Sequence, residues 1–370
     1  MLDNKNTLRI LPVHLINPRM EAEKAINIGE ELESLIATLG AHIPNRIIQK
    51  LDKPNNATYI GRGKVVEIAE VINQEHIDVV VLNATVKPRQ VHALKKQLQK
   101  TKREIDVWDR VDLILHIFDK RATTQEAKLQ IELARMNYMG PRIYGMGYVL
   151  SRQGGGIGAL GAGETNTELM KRHWRDAKKK ISDQLEKISR ARAQQLDRRK
   201  RVGFKTVSIV GYTNAGKSSL FNLLSGKKHL AKSELFATLD SSVGKLYIDS
   251  LHSEVLITDT IGFIRDLPPM LISSFKSTLM ESIHADVLLH VIDVSDSEID
   301  IKIKVVDDIL RELGRYANDV VYVFNKIDVL SNEAKSQMED NYKGLSPIFI
   351  SVKNEVGIEE IKIRIKNCLS

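Results

Sequence analysis

One stretch constrains this chain more than any other: FKTVSIVGYTNAGKSSL at residues 204–220. The β-branched apolar run Val207-Ser208-Ile209-Val210 predicts a buried strand that breaks at Gly211. Gly216-Lys217-Ser218-Ser219 then opens a helical pattern carried on by Leu220, Phe221, Leu223 and Leu224. Strand, glycine loop and helix in that order commit this part of the chain to an α/β fold.

The loop also fits the spacing G-x-x-x-x-G-K-[ST], with Gly211, Tyr212, Thr213, Asn214, Ala215, Gly216, Lys217 and Ser218 in the eight places. The glycines let backbone N–H groups curl around a polyphosphate, Lys217 brings a point charge to the β- and γ-phosphates, and the Ser218 hydroxyl can ligate Mg²⁺. The helix N-terminus directs a partial positive charge at the same anion. A nucleoside triphosphate site is therefore expected.

Three further motifs follow in order. Asp259-Thr260-Ile261-Gly262 comes after the strand Val255-Leu256-Ile257-Thr258, so Asp259 emerges where the loop Mg²⁺ would sit and the Gly262 N–H can meet a γ-phosphate. Asn325-Lys326-Ile327-Asp328 follows Val320–Phe324 and decides the base. The Asp328 carboxylate can accept from the N1–H and N2–H₂ of guanine, a donor pair that adenine lacks. Ser351-Val352-Lys353, after the next strand, fits a loop that reaches guanine O6 or supports Asp328. Between the first helix and the next strand lies Phe236-Ala237-Thr238-Leu239-Asp240, whose Thr238 is placed to offer its hydroxyl to Mg²⁺ and its N–H to the γ-phosphate. GTP and GDP are the expected ligands, and Lys217, Thr238 and Gly262 the residues expected to act on the phosphates.

The chain around these motifs reads as three parts: 1–120, 121–203 and 204–370. In the first, strands at 8–16, 45–51, 77–82 and 104–108 alternate with helical patterns, predicting a small parallel α/β domain. Gly61-Arg62-Gly63-Lys64 lacks phosphate-loop spacing and reads as a turn leading into a helix. The second part is a long helical hairpin over 110–138 and 165–199, whose second helix carries the stripe Trp174, Ile181, Leu185, Ile188 and Leu196. Its tip, 140–163, contains nine of the chain's 22 glycines and is expected to form no regular element; a functional loop and a flexible linker are the two readings. The third part, with strands at 243–248, 255–259, 287–293, 320–324 and 348–351 and a closing helix at 358–369, predicts a doubly wound, Ras-like P-loop domain.

Charge narrows the partner. Residues 171–205 hold fourteen Lys/Arg against four Asp/Glu, a net +10 inside a chain of net +8. That is the footprint of a nucleic-acid partner, or else a solvated helical face. A single cysteine, Cys368, excludes a disulfide framework, and no apolar run approaches the ~20 residues of a membrane span. A cytoplasmic monomer is expected, with peripheral membrane association as the variant.

Taken together, GYTNAGKS, LFATLD, DTIGFIRDLP and NKID in the second half, with TYIGRGK, FDKRATTQEAKLQIELA and SRQGGGIG in the first, resemble the HflX-type ribosome-associated GTPases. The resemblance spans nearly the whole chain. It implies GTP hydrolysis, binding to the large ribosomal subunit, and help in splitting or rescuing stalled ribosomes. A GTP-switched RNA-binding factor for ribosome assembly or RNA modification is the alternative. This sequence departs from the family pattern at Leu160-Gly161-Ala162-Gly163-Glu164-Thr165, where an Arg-Gly-Pro-Gly-Glu-Thr-like run is usual. Where Ras-like switches place a water-orienting glutamine, this chain has Phe263. Likeness to GTPases that share such an apolar residue implies that Asn214 holds K⁺ against the phosphates, with Arg265 as the rival source of charge.

Overall fold

The computed structural model describes residues 7–99, 104–153, 160–227, 236, 242–249, 252–260, 262–265, 267–275, 279, 284–315 and 320–370. The chain divides into two compact units, Met1–Lys120 with Ile131–Asp183, and Arg121–Gln130 with Gln184–Ser370.

The first unit is built on strands β1 (Ile10–Ile16), β2 (Ile47–Lys50), β3 (Val79–Leu82) and β4 (Asp106–Asp109), joined through helices α1 (Ala22–Thr38), α2 (Arg62–Gln74) and α3 (Pro88–Leu98). All pairings are parallel, in the order β2-β1-β3-β4, as the alternation of strand and helix predicts. Strand β3, Val-Val-Val-Leu, is buried along its length, the pattern of a strand covered on both faces. Leu11, Val13, Val80, Leu82 and Val107 pack with Ile68, Ile72, Leu94 and Leu98 in one core. Helix α2 begins at Arg62 with Gly61 as its cap, so the Gly61–Lys64 run is the expected turn into a helix.

Helix α4 (Arg110–Arg121) leaves β4 at the fully buried Asp109. Its carboxylate accepts hydrogen bonds from the backbone N–H groups of Val86 (3.0 Å), Val111 (2.9 Å) and Asp112 (3.0 Å), and from the phenol of Tyr138 on helix α5 (Gln125–Gln153). On helix α6 (Leu160–Arg201), Trp174 donates its indole N–H to Met136 O at 3.2 Å and Ile181 is buried, so both act in the expected stripe.

One expectation is corrected here. Helix runs through Gln153 and again from Leu160, so most of the glycine-rich stretch 140–163 is regular, and 154–159 lie outside the described residues. Each glycine costs a helix about 1 kcal/mol, but propagation adds one hydrogen bond per residue, and Ile143, Tyr144, Val149 and Leu150 interrupt the glycines.

The second unit holds the base of both long helices, joined by an Arg192–Glu126 ion pair at 3.2 Å. It continues into β5 (Thr206–Gly211), α7 (Lys217–Ser225), β6 (Ser242–Ile248), β7 (Ser253–Asp259), α8 (Pro269–Ser274), β8 (Val287–Asp293), α9 (Ile299–Glu312), β9 (Val320–Asn325), α10 (Asn332–Asn341), β10 (Ile348–Phe349) and α11 (Ile358–Leu369). The sheet order is β10-β9-β8-β5-β7-β6, parallel throughout except for the antiparallel β6–β7 pair. One face packs Val207, Ile209 and Leu289 against Leu220 and Leu224 of α7 and Ile361 and Ile365 of α11. The other packs Val210 and Leu288 against Val306, Ile309 and Leu310 of α9. Helices on both faces leave the carboxyl ends of the parallel strands open at one rim, where Gly211–Ser218, Asp259, Asn325–Asp328 and Ser351–Lys353 emerge. No helix of the described residues is long and apolar enough to cross a membrane.

Candidate functional site

The loop after β5 is held in shape by close approaches that forbid side chains. A Cβ on Gly216, whose φ is +95°, would fall 2.3 Å from Asn325 Nδ2. Asn214, exposed at the turn, has φ +64°, a left-handed conformation that asparagine tolerates better than most residues. Lys217 opens α7 buried, and its ammonium donates to Tyr212 O at 2.7 Å. Burial lowers its pKa to about 8, with the nearby Asp259 carboxylate pulling the other way. An ammonium so poorly hydrated gains strongly from an anion beside it.

Ser218, next in the helix, donates its hydroxyl to Asp259 Oδ2 at 2.6 Å. The P-loop serine and the carboxylate ending β7 are thus neighbours, although 41 residues separate them in the chain. A hydroxyl and a carboxylate side by side are hard oxygen donors that fit Mg²⁺. Thr260 is fully buried and donates to Ile209 O at 2.7 Å, which pins the strand end. Gly262 lies against the loop so tightly that a Cβ would sit 2.8 Å from Lys217 Nζ, 2.8 Å from Thr213 Cγ2 and 3.0 Å from Thr213 Cα. Phe263 N donates to Gly211 O (3.1 Å) and Thr213 N to Phe263 O (2.8 Å).

At the base side, Asn325 is buried and joins two loops. Its Nδ2 donates to Ala215 O at 2.9 Å while its Oδ1 accepts from Val352 N at 3.1 Å. Lys326, at φ +69°, pairs with Asp293 at 2.5 Å. Ile327 is half-buried and Asp328 exposed. The Ser351 hydroxyl donates to Asp328 Oδ1 at 2.6 Å, which holds that carboxyl below the usual range, and accepts from Asn354 N at 3.1 Å. Val352 packs against the core, and Lys353 is exposed.

The structure therefore gathers Gly211–Ser218, Asp259, Thr260, Gly262, Asn325–Asp328 and Ser351–Lys353 at one rim of one sheet. Phe236 is buried with φ +55°, whereas Ala237, Thr238, Leu239, Asp240 and Ile261 lie outside the described residues. Three partners escaped the sequence reading: Asp293, the phenol of Tyr212, and Glu298. Asp293 alone carried a signal, since it ends a strand at the ligand rim.

Three family models match the chain in succession. They describe a GTP-binding GTPase N-terminal region (27–119), a GTP-binding GTPase middle region (121–199) and a 50S ribosome-binding GTPase (206–326). Among curated relatives, the GTPase HflX of Caldanaerobacter subterraneus subsp. tengcongensis is 42% identical over 341 residues, 92% of this chain and 76% of the relative. The GTPase HflX of Escherichia coli is 36% identical over 94% of this chain and 80% of its own length. That of Methanocaldococcus jannaschii is 35% identical, with 90% and 81% covered. A solved structure of a protein named SsGBP in complex with GDP is 26% identical, covers 97% of this chain and 98% of its own, and superposes with a TM-score of 0.55.

Proposed function

The chain belongs to the HflX family of GTPases, and we propose that it is a GTP-driven factor of the large ribosomal subunit that helps to split or rescue stalled ribosomes. It hydrolyses GTP to GDP and phosphate. The observation that carries the ribosomal part is the match of residues 206–326 to a 50S ribosome-binding GTPase. The exposed lysines and arginines of α6 add the electrostatics that a ribosomal RNA surface requires.

In this reading the segments 1–120, 121–203 and 204–370 work as sheet domain, arm and G-domain, in the cytoplasm. Lys217 would neutralise the β- and γ-phosphates, Ser218 and Thr238 would hold Mg²⁺ with support from Asp259, and the Gly262 N–H would meet the γ-phosphate. When bound, the Mg²⁺ supplies charge neutralisation on the phosphate oxygens. Asp328 reads guanine, with Ser351 orienting it. Asn214 is the residue offered to K⁺.

Sedimentation through sucrose gradients with a non-hydrolysable GTP analogue tests the proposal. Co-migration with large subunits, and loss of the intact-ribosome peak when the factor is added with GTP, are the expected results. Binding to isolated ribosomal RNA or tRNA as tight as to subunits would favour an assembly or modification factor instead.

A further inference from the structure

The motif asks nothing of the second residue of the phosphate loop beyond its backbone, yet Tyr212 is 6% exposed and makes contacts well outside the loop. Its phenol oxygen accepts the backbone N–H of Arg265 at 2.6 Å, 53 residues further on. Lys302 of α9 stands over its ring, 4.8 Å from the centroid, and is paired with Asp296. The Arg265 side chain is in turn held by Glu298 at 2.8 Å, with only 13% and 12% of the two side chains exposed.

These contacts flank the two main-chain bonds that make Tyr212 and Phe263 a parallel bridge. Phe263 itself is 1% exposed and sits in the core with Val210, Ile272 and Val306. The residues after Gly262 are thus fastened by backbone, by phenol, by ion pair and by core burial at once. Gly262 sits between this fastening and Lys217, with no room for a methyl group.

We propose that Tyr212 is a positioning residue of the GTPase site, which with the Arg265–Glu298 pair latches the segment after Gly262 onto the phosphate loop and so fixes Gly262 for hydrolysis. The proposal rests on the GTPase reading and deepens it. Phe263 brings no hydrogen-bonding atom to the step, so accurate placement of the neighbouring backbone carries more of the rate. In the latch, Arg265 is engaged by Glu298 and acts on the backbone. A free arginine supplying charge to the phosphates would behave oppositely when Glu298 is changed.

The test compares the full-length parent, Tyr212→Phe, Glu298→Gln and the double variant. The readouts are steady-state GTP hydrolysis, affinity for a fluorescent GDP analogue, and amide exchange over residues 262–267. Tyr212→Phe should lower kcat roughly tenfold, while KM and GDP affinity stay within about twofold and the Arg265 amide exchanges faster. Glu298→Gln should move kcat and exchange in the same direction, and the double variant should fall short of the product of the singles. Parental kcat in Tyr212→Phe, GDP affinity falling in step with kcat, or faster turnover in Glu298→Gln would each overturn the latch. A parent that neither bound GDP nor hydrolysed GTP would sink the GTPase reading instead. The latch would then be judged by exchange at Arg265, and equal exchange in parent and Tyr212→Phe would remove it.

Discussion

Ser351 donates its hydroxyl to the carboxylate of Asp328 across 2.6 Å, so the residue proposed to read the base is aimed by a buried neighbour 23 positions later. Asp328→Asn should weaken GTP binding by at least ~10²-fold and admit xanthosine triphosphate, whose O2 accepts where guanine's amine donates. Ser351→Ala removes one hydrogen bond to a charged group and should weaken GTP about tenfold without changing base choice. Titrations with both nucleotides decide it; parental GTP affinity in Asp328→Asn would refute the guanine assignment.

Gly262→Ala places a methyl group where Lys217 Nζ, Thr213 Cγ2 and Thr213 Cα all lie within 3.0 Å. The lysine tip can swing aside, but the Thr213 backbone cannot. Turnover should fall roughly 10- to 100-fold, in line with overpacking costs of about 1–3 kcal/mol. Single-turnover hydrolysis reads this directly, and a parental rate would show that the gap can open freely.

His290 is 1% exposed on β8, and its pKa is lowered from 6.5 by burial, against the opposing pull of Asp307. The unfolded chain therefore binds a proton that the folded chain refuses. Stability rises with pH across this window and is lost as pH falls below about 6.5, by at most about 1.4 kcal/mol per pH unit for this one group. Replacing the imidazole with a neutral side chain, His290→Gln, should flatten that acid limb. Thermal midpoints at pH 7.5 and 5.5 provide the comparison, and an equal drop in parent and variant would contradict the assignment.

Lys178, Lys179 and Lys180 are exposed side by side on α6. If they meet ribosomal phosphates, subunit affinity should fall steeply with salt, and reversing all three to glutamate should cost at least ~10-fold and flatten the salt slope. Pelleting assays at graded KCl measure both. An unchanged slope would leave these lysines solvated only.

Hydrolysis in matched potassium and sodium buffers addresses Asn214, whose side chain stands at an exposed left-handed turn of the loop. Faster turnover in potassium that Asn214→Ala abolishes is the expected outcome. Identical rates in both salts would dismiss a monovalent cofactor.

Much of this molecule was legible beforehand because its signals are local. Val79–Leu82 and Val207–Val210 announce buried strands by composition alone, and Gly211–Ser218 fixes a loop by spacing. The antiparallel pairing of β6 with β7 is less visible, since two apolar runs carry no record of their relative direction. The helical course of 140–153 is poorly legible because its glycine content argues against regular structure while the apolar residues between the glycines argue for it. Asp293, Glu298 and the phenol of Tyr212 escaped because their partners, Lys326, Arg265 and the Arg265 backbone, meet them only after folding. No periodicity records a contact spanning 33 or 53 residues.

The amide of Asn325 has one hand on Ala215 and the other on Val352. In the proposed reading of this rim, recognition of base and of phosphate is for that reason not modular. Any exchange of the loop proposed to read the base for one of different taste would travel through this amide into the loop at Ala215. Altering which nucleoside is accepted thus means transplanting the clasp whole, with Asn325 and both of its carbonyl and amide partners in register.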